Sequence, residues 1–377
     1  MPTDGPQRDE EHMAHAAALA ERARRRTAPN PWVGCVIVRD AAVVGEGATE
    51  PPGGRHAEIV ALRAAGDAAR GATAYTTLEP CSHHGRTSPC ADALTAAGVA
   101  RVVVALEDPD DKVAGEGIAR LRAAGIEVEV GVGADAVRVR LAPYLHHRRT
   151  GRAFCLVKTA LSLDGRTAAA DGSSQWITGP AARADAHELR ADSQAVVVGS
   201  GTALADRPAL TVRDADPVPE HPPLRVLLDA RGRVPAAGPL FDAAAPTLVI
   251  TTGAAPSGVL DAWWAAGATV ETVPAANGKV DLVAALDVLG AYGVLQAMIE
   301  GGAALHGALL EAGLVDRLTV YVGAALLGSG AKPGLDWPGP ATIADAPRLR
   351  LVACHVLGDD VRLDYVPVAV AAGEGRA

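Results

Sequence analysis

The sequence predicts an α/β protein built from two domains. Three observations predict this. The length of 377 residues favours about two domains. Apolar runs of strand length alternate with helical periods along the chain, a pattern that builds sheets covered by helices. A short basic interruption, His146-His147-Arg148-Arg149-Thr150-Gly151-Arg152, separates two such patterns and marks a boundary near 148, giving domains 1–148 and 149–377. The paired histidines have no Cys or carboxylate at ligand spacing beside them and are expected in solvent.

Composition narrows the function. The 49% hydrophobic content is ordinary for a globular chain, and no apolar run approaches the roughly 18 residues of a membrane span. The net charge is −9, with an acidic excess in both halves, so binding to a phosphate backbone is not expected. Five cysteines, an odd number, do not form a disulfide framework. The first 26 residues lack the apolar segment of a secretory signal. A cytoplasmic location is expected, with no membrane and no nucleic-acid partner.

In the first half, residues 12–26 place Met13, Ala16, Ala17, Leu19, Ala20 and Ala23 on one helical stripe. Pro29-Asn30-Pro31 ends that helix, because proline lacks a donor and restricts its neighbour. Val33–Val38 and Val43–Gly45 follow as a strand pair. After a Gly-rich loop come a helix at 57–65 and a strand at 74–78 that leads to Cys81. Helix 90–97, strand 101–106, helix 116–124 and strand 126–130 complete the pattern.

The most specific chemistry lies between 56 and 90. His56, Cys81 and Cys90 supply one imidazole and two thiols, the donors zinc takes, and Glu58 stands two residues from the imidazole. Three protein ligands leave the fourth tetrahedral position open, as in a catalytic site, and zinc lowers the pKa of water on it to about 7. Glu58 is placed to carry protons. The zinc-deaminase signature H-x-E with P-C-x-x-C is met at His56, Glu58, Pro80 and Cys81, but the second Cys comes nine positions after the first. The polar, basic loop between them, with His83 and Arg86, suits an anionic substrate. Ser88 as cap and Pro89 at the first helical position are expected to open the helix at Cys90, whose thiolate that helix end favours. A structural zinc is the competing reading, and three ligands with the adjacent Glu58 weigh against it.

These residues, with Pro29-Asn30-Pro31 before them and the run from Leu78 to Cys90, resemble the bifunctional riboflavin-biosynthesis deaminase–reductases. The resemblance covers nearly the whole chain. It implies a cytidine-deaminase-like three-layer α/β/α domain followed by a dihydrofolate-reductase-like α/β domain. It also implies Zn2+ and NADPH as cofactors, a small phosphorylated pyrimidine as substrate, and a homo-oligomer. In the first half Asn30, His83, Arg86 and Asp108 match substrate contacts. Asp108-Pro109-Asp110-Asp111 departs from the family, which shows Asn-Pro after Asp-Pro, and Asp110 and Asp111 are as well explained as a solvated acidic turn.

The second half opens with the strand Phe154–Lys158, then a helix ending near Arg190 and a strand at 195–199, and these match the family's reductase half in order, as do Asp206 to Arg213 and Arg225 to Asp229. Strand 295–299 leads into Glu300-Gly301-Gly302 and a helix, whose backbone N–H groups suit a pyrophosphate. Alone this turn is a weak signal, since many βα units turn on glycine merely to pack closely. Strands 318–322 and 361–367 finish the sheet, and 368–377 reads as a loose tail. Four lysines against 31 arginines make Lys158, at a strand end, notable. The resemblance assigns cofactor contacts to Ala160, Trp176, Thr202, Asp206, Ala230 and the turn Gly302, Ala303, Ala304, Leu305, His306, Gly307 and Ala308. It assigns substrate contacts to Lys158, Ser174, Arg190, Leu210, Arg213 and Glu300. Arg207 stands where the family has Asp, reversing the local charge. A nucleoside or tRNA deaminase with a non-catalytic C-terminal binding domain is the alternative, disfavoured by the acidic balance. A scaffold with a degenerate zinc site is a second, disfavoured by the intact Glu58.

Overall fold

The computed structural model describes residues 6–83 and 88–368. The chain divides into two units, Met1–Arg152 and Ala153–Ala377.

The first unit contains α1 (Pro6–Ala23), β1 (Gly34–Arg39), β2 (Ala42–Ala48), α2 (Ala57–Ala65), β3 (Thr73–Thr76), α3 (Cys90–Ala97), β4 (Arg101–Val104), α4 (Glu116–Ala123), β5 (Glu127–Val130) and α5 (Ala134–Thr150). The sheet runs β2-β1-β3-β4-β5, with β1 antiparallel to both neighbours and β3 to β5 parallel. Helix α1 buries the whole expected stripe, Met13 to Ala23. It lies so close over Gly34 that a Cβ there would meet the Ala16 carbonyl oxygen at 1.8 Å. Gly47 has the same relation to α2, where a Cβ would meet the Ala57 carbonyl oxygen at 2.2 Å. Gly47 pairs with Cys35, the neighbour of Gly34, so the two glycines look out of opposite faces. Helices α1 and α2 therefore cover the two sides of the sheet, giving three layers.

One stretch differs from expectation. The basic run read as a linker forms the last turns of α5, which buries Val137, Leu141, Tyr144 and Leu145 and carries Pro143 inside it. Asp9 is also structural: Tyr75 donates to it at 2.6 Å and Arg101 at 2.8 and 3.1 Å, tying α1 to β3 and β4.

The second unit contains β6 (Phe154–Ser162), β7 (Arg166–Ala168), α6 (Pro180–Ala191), β8 (Ala195–Gly199), α7 (Ser200–Asp206), β9 (Leu224–Leu228), β10 (Thr247–Thr251), α8 (Ser257–Ala265) and β11 (Thr269–Thr272). It continues with β12 (Ala275–Ala276), β13 (Lys279–Val280), α9 (Leu282–Ala291), β14 (Gln296–Ile299), α10 (Ala303–Glu311), β15 (Arg317–Gly323), β16 (Lys332–Pro333), β17 (Leu349–Leu357) and β18 (Asp360–Pro367). Nine strands form one sheet, β11-β10-β9-β8-β14-β6-β15-β18-β17. It is parallel from β11 to β15, while β18 and β17 are antiparallel additions at one edge. The central strands are continuous buried apolar runs, such as Val196–Val198 and Leu248–Ile250, as expected of a parallel sheet covered on both faces. Its carboxyl ends carry the turns at Gly199, Asp229 and Glu300, where ligands of such sheets bind.

Candidate active sites

In the first unit His56 caps α2, Glu58 lies in that helix's first turn, Cys81 follows β3, and Cys90 opens α3. His56 Nδ1 lies 3.4 Å from Sγ of each cysteine. One donor atom from each of the three residues falls within 4.8 Å of the others. An imidazole and two thiols facing a common point fit a zinc ion and leave one tetrahedral position free of protein.

Ser88 is not the cap of α3. Pro89 holds that position without a side-chain hydrogen bond, and Cys90 is the first helical residue. The open N–H groups of the helix serve Cys81: Cys90 N–H donates to Cys81 Sγ at 3.4 Å, and Ala91 N–H to the Cys81 carbonyl at 3.3 Å. The helix end thus favours charge on Cys81, not on Cys90 as the sequence suggested. The Cys90 thiol draws Cys81 down to about 4, against burial and with help from His56. The same contact, followed by burial, pushes Cys90 up.

Glu58 is 3% exposed. Burial, then the charge of Cys81, pushes its carboxyl up to about 7. A carboxyl that gains and loses protons near neutrality is suited to general acid–base work.

The surrounding carboxylates frame the site. Glu79 is buried and accepts the N–H groups of Asp108 at 3.1 Å, Gly115 at 3.0 Å and Ile118 at 3.1 Å. Asp108, a matched substrate contact, is also buried, and Tyr144 donates to both its oxygens at 3.1 Å. Burial pushes Asp108 up to about 6. Asp110 is not simply solvated: Arg148 meets it at 3.3 Å, while Asp111 is exposed. Asn30 is half-buried on the turn after α1, and His83 is exposed. Arg86 lies outside the described residues.

In the second unit a cleft of about 930 Å³ runs along the strand ends. It is lined by Lys158, Ala160, Ser174, Thr202, Asp206, Ala230, Glu300, the turn from Gly302 to His306, and Ala308, all sites indicated by the sequence. Glu300 accepts from Arg190 through both carboxylate oxygens and has Lys158 Nζ at 3.9 Å. Burial alone would raise the Glu300 carboxyl, but Arg190 and then Lys158 hold it down at about 2. Burial lowers Lys158 against the pull of Glu300. His306 is 2% exposed, and neither ring nitrogen meets a hydrogen-bond partner of good geometry. Buried polar atoms left open on a cleft wall fit a site that takes a polar ligand. Burial, then the Lys158 charge, lowers His306 to about 4.

Several matched residues do not line this cleft. Arg190 acts behind Glu300. Gly307 faces the Asp336 backbone, where a Cβ would meet the carbonyl oxygen at 2.4 Å. Leu210 is buried in the core with Val196 and Trp263. Trp176 is 67% exposed, with the Arg183 guanidinium 4.3 Å from its ring centre. Arg213 is exposed, and its N–H donates to His187 Nδ1 at 3.1 Å. Arg207 turns away toward Gly238, so its departure from the family does not place a cation in the cleft. The sequence reading missed Arg231, Arg233, Lys279 and Lys332 on the cleft wall. Lysine scarcity was the available signal: Lys158, Lys279 and Lys332, three of the four lysines, line this cleft.

Comparison with known proteins agrees with both halves. Residues 6–106 match the cytidine and deoxycytidylate deaminase zinc-binding region, and residues 153–363 match the RibD C-terminal domain. The riboflavin biosynthesis protein RibD of Escherichia coli is 44% identical over 368 residues, covering 95% of this chain and 99% of its own. The Mycobacterium tuberculosis protein of that name is 41% identical over 360 residues, covering 95% and 97%. Among solved structures, Acinetobacter baumannii RibD has a TM-score of 0.87 at 39% identity, covering 97% of this chain and all of its own. The Thermotoga maritima diaminohydroxyphosphoribosylaminopyrimidine deaminase/5-amino-6-(5-phosphoribosylamino)uracil reductase scores 0.83 at 30% identity, covering 96% and 99%. With a zinc-type donor set in one unit, a cleft at parallel strand ends in the other and relatives matched from end to end, the chain belongs to the bifunctional deaminase–reductase family of riboflavin biosynthesis.

Proposed function

We propose that the first unit hydrolyses the exocyclic amine of 2,5-diamino-6-ribosylamino-4(3H)-pyrimidinone 5′-phosphate and that the second reduces the ribosyl group of the product to ribityl. The observation that carries this reading is the placement of Glu58, a carboxyl 3% exposed in the first turn of the helix that His56 opens, beside the three zinc donors His56, Cys81 and Cys90. His56, Cys81 and Cys90 would hold zinc, which when bound supplies Lewis acidity toward water. Glu58 takes a proton from the attacking water and delivers one to the departing amine, so that ammonia leaves neutral. Asn30, His83, Arg86 and Asp108 are assigned to the substrate, Arg86 to its phosphate.

In the second unit the turn from Gly302 to Ala308, with Thr202, Asp206 and Ala230, would hold NADPH, which when bound supplies hydride. Trp176 and Ala160 belong to the same assignment. Glu300, kept ionised by Arg190, and Lys158 form a charged pair that orients the sugar hydroxyls. Ser174, Leu210 and Arg213 complete the substrate set, Leu210 acting from the core.

The nucleoside or tRNA deaminase reading loses its basis, because the C-terminal half matches a reductase domain. Among the described residues no helix is long and apolar enough to cross a membrane. Five free cysteines support a reducing cytoplasm. Self-association is supported by β17, an edge strand with Leu351 and Val356 exposed. The decisive assay follows ammonia release and NADPH oxidation together on the purified protein given the diamino substrate. Ammonia release without subsequent NADPH oxidation would remove the reductase half of the proposal.

A further inference from the structure

We propose that Arg231, Arg233 and Lys279 bind the 2′-phosphate of NADPH and set its preference over NADH. This rests on reading the cleft as the cofactor site. In sheet order β6, β14, β8 and β9 are consecutive. Lys158 lies in β6, and Glu300 and the Gly301-Gly302 turn directly follow β14. Asp229 to Arg233 follow β9, three strand spacings or roughly 14 Å from β6. A dinucleotide with its nicotinamide at Lys158 and its pyrophosphate over the glycine turn brings its adenosine ribose to β9.

Three cations surround that end. All three line the cleft and are exposed, and among the described residues none has a carboxylate within ion-pair distance. In a chain of net charge −9, unanswered cations grouped on one cleft wall point to an anionic ligand. Lys332, the other exposed basic group of the wall, also has no carboxylate within ion-pair distance among the described residues but lies toward Asp206, whose carboxyl burial raises against the pull of that ammonium.

The acid at the end of β9 decides which dinucleotide fits. In an NAD site a carboxylate there accepts from the ribose 2′-hydroxyl. Here Asp229 is fully buried and spent on its own loop, accepting from Arg231 N–H at 3.3 Å and Val234 N–H at 2.8 Å. Both of its oxygens are already engaged within that loop. It fixes the loop that presents Arg231 and Arg233. Arg233 is further held by a hydrogen bond to the Ser200 hydroxyl. Arg231 reaches the hairpin of β12 and β13, its Nη2 lying 3.1 Å from where a Gly278 Cβ would stand, beside Lys279. Two guanidinium forks and an ammonium on pinned backbone suit a phosphate dianion.

Calorimetry on the full-length, zinc-loaded protein with NADP+, NAD+ and adenosine 2′,5′-bisphosphate tests this. Arg231→Ala, Arg233→Ala and Lys279→Ala should each weaken NADP+ and the bisphosphate about ten-fold, or about 1.4 kcal/mol, with NAD+ unchanged within about two-fold. A variant that weakens both dinucleotides equally, or neither, overturns the assignment of that residue. The unmodified protein gives a second test: NADP+ affinity should fall more steeply with salt than NAD+ affinity, and equal slopes overturn the proposal. Gly302→Val separates the two levels of inference. It should lose both dinucleotides, and if it binds both normally the cofactor cleft itself is misassigned and the phosphate site falls with it.

Discussion

At Glu58, burial and the charge on Cys81 act in the same direction, both favouring the protonated carboxyl. Glu58→Gln preserves size and burial but cannot cycle a proton. We expect full zinc content, because the donor atoms belong to His56, Cys81 and Cys90, and deamination lower by about 10² or more. Zinc analysis with an ammonia assay checks this, and near-normal turnover by a zinc-loaded variant would take Glu58 out of the mechanism. These four residues were legible in the sequence because imidazole, thiol and carboxylate at such spacing have few other uses. Which sulfur the helix end serves was not legible, since that depends on where α3 begins. That Trp176 and Arg213 stand exposed outside the cleft lining was not legible either, because a family match gives the residue but not the direction in which its backbone turns it. Arg231 and Arg233 were hidden among 31 arginines, and only the fold groups them.

At the level of elements, Glu79 links the segment carrying Cys81 to the loop after β4, at Asp108 and Gly115, and to the first turn of α4, at Ile118, through three backbone N–H groups. A buried donor left open costs about 1–3 kcal/mol. Glu79→Ala should therefore lower the stability of the first unit by several kcal/mol and speed zinc loss, without changing dinucleotide affinity. Urea unfolding, zinc retention against a chelator and NADP+ titration measure the three effects, and an unaltered unfolding midpoint would mean these bonds hold nothing. Helix α2, spanning 57–65, and the buried strands were readable from period and apolar runs. Helix α5 carried the signal too, with Val137, Leu141, Tyr144 and Leu145 at helical spacing. Pro143 and the basic run after it masked the period, because both are usual marks of a helix end.

For the whole molecule, the proposed zinc donors lie before residue 91 and the proposed cofactor contacts after residue 153, in separate units. Hydride transfer between carbon centres has no need of the metal. Cys81→Ser should abolish ammonia release yet leave NADPH oxidation intact on the deaminated intermediate, and Gly302→Val should do the reverse. Metal binding contributes to folding, so a thermal melt accompanies each variant. A folded, zinc-free protein unable to reduce the deaminated intermediate would refute independent sites. The two-part organisation was legible from length and alternation, although the chain divides after Arg152 rather than at a flexible linker. Lysine usage also matters at the bench. With four lysines in the chain and three on one cleft, amine-directed chemistry such as succinimide acylation or reductive methylation is close to a footprinting reagent for that cleft. Lys279 and Lys332 are exposed at its rim and Lys158 is sheltered inside it, so the pattern of acylated amines separates the rim from the interior without any engineered label.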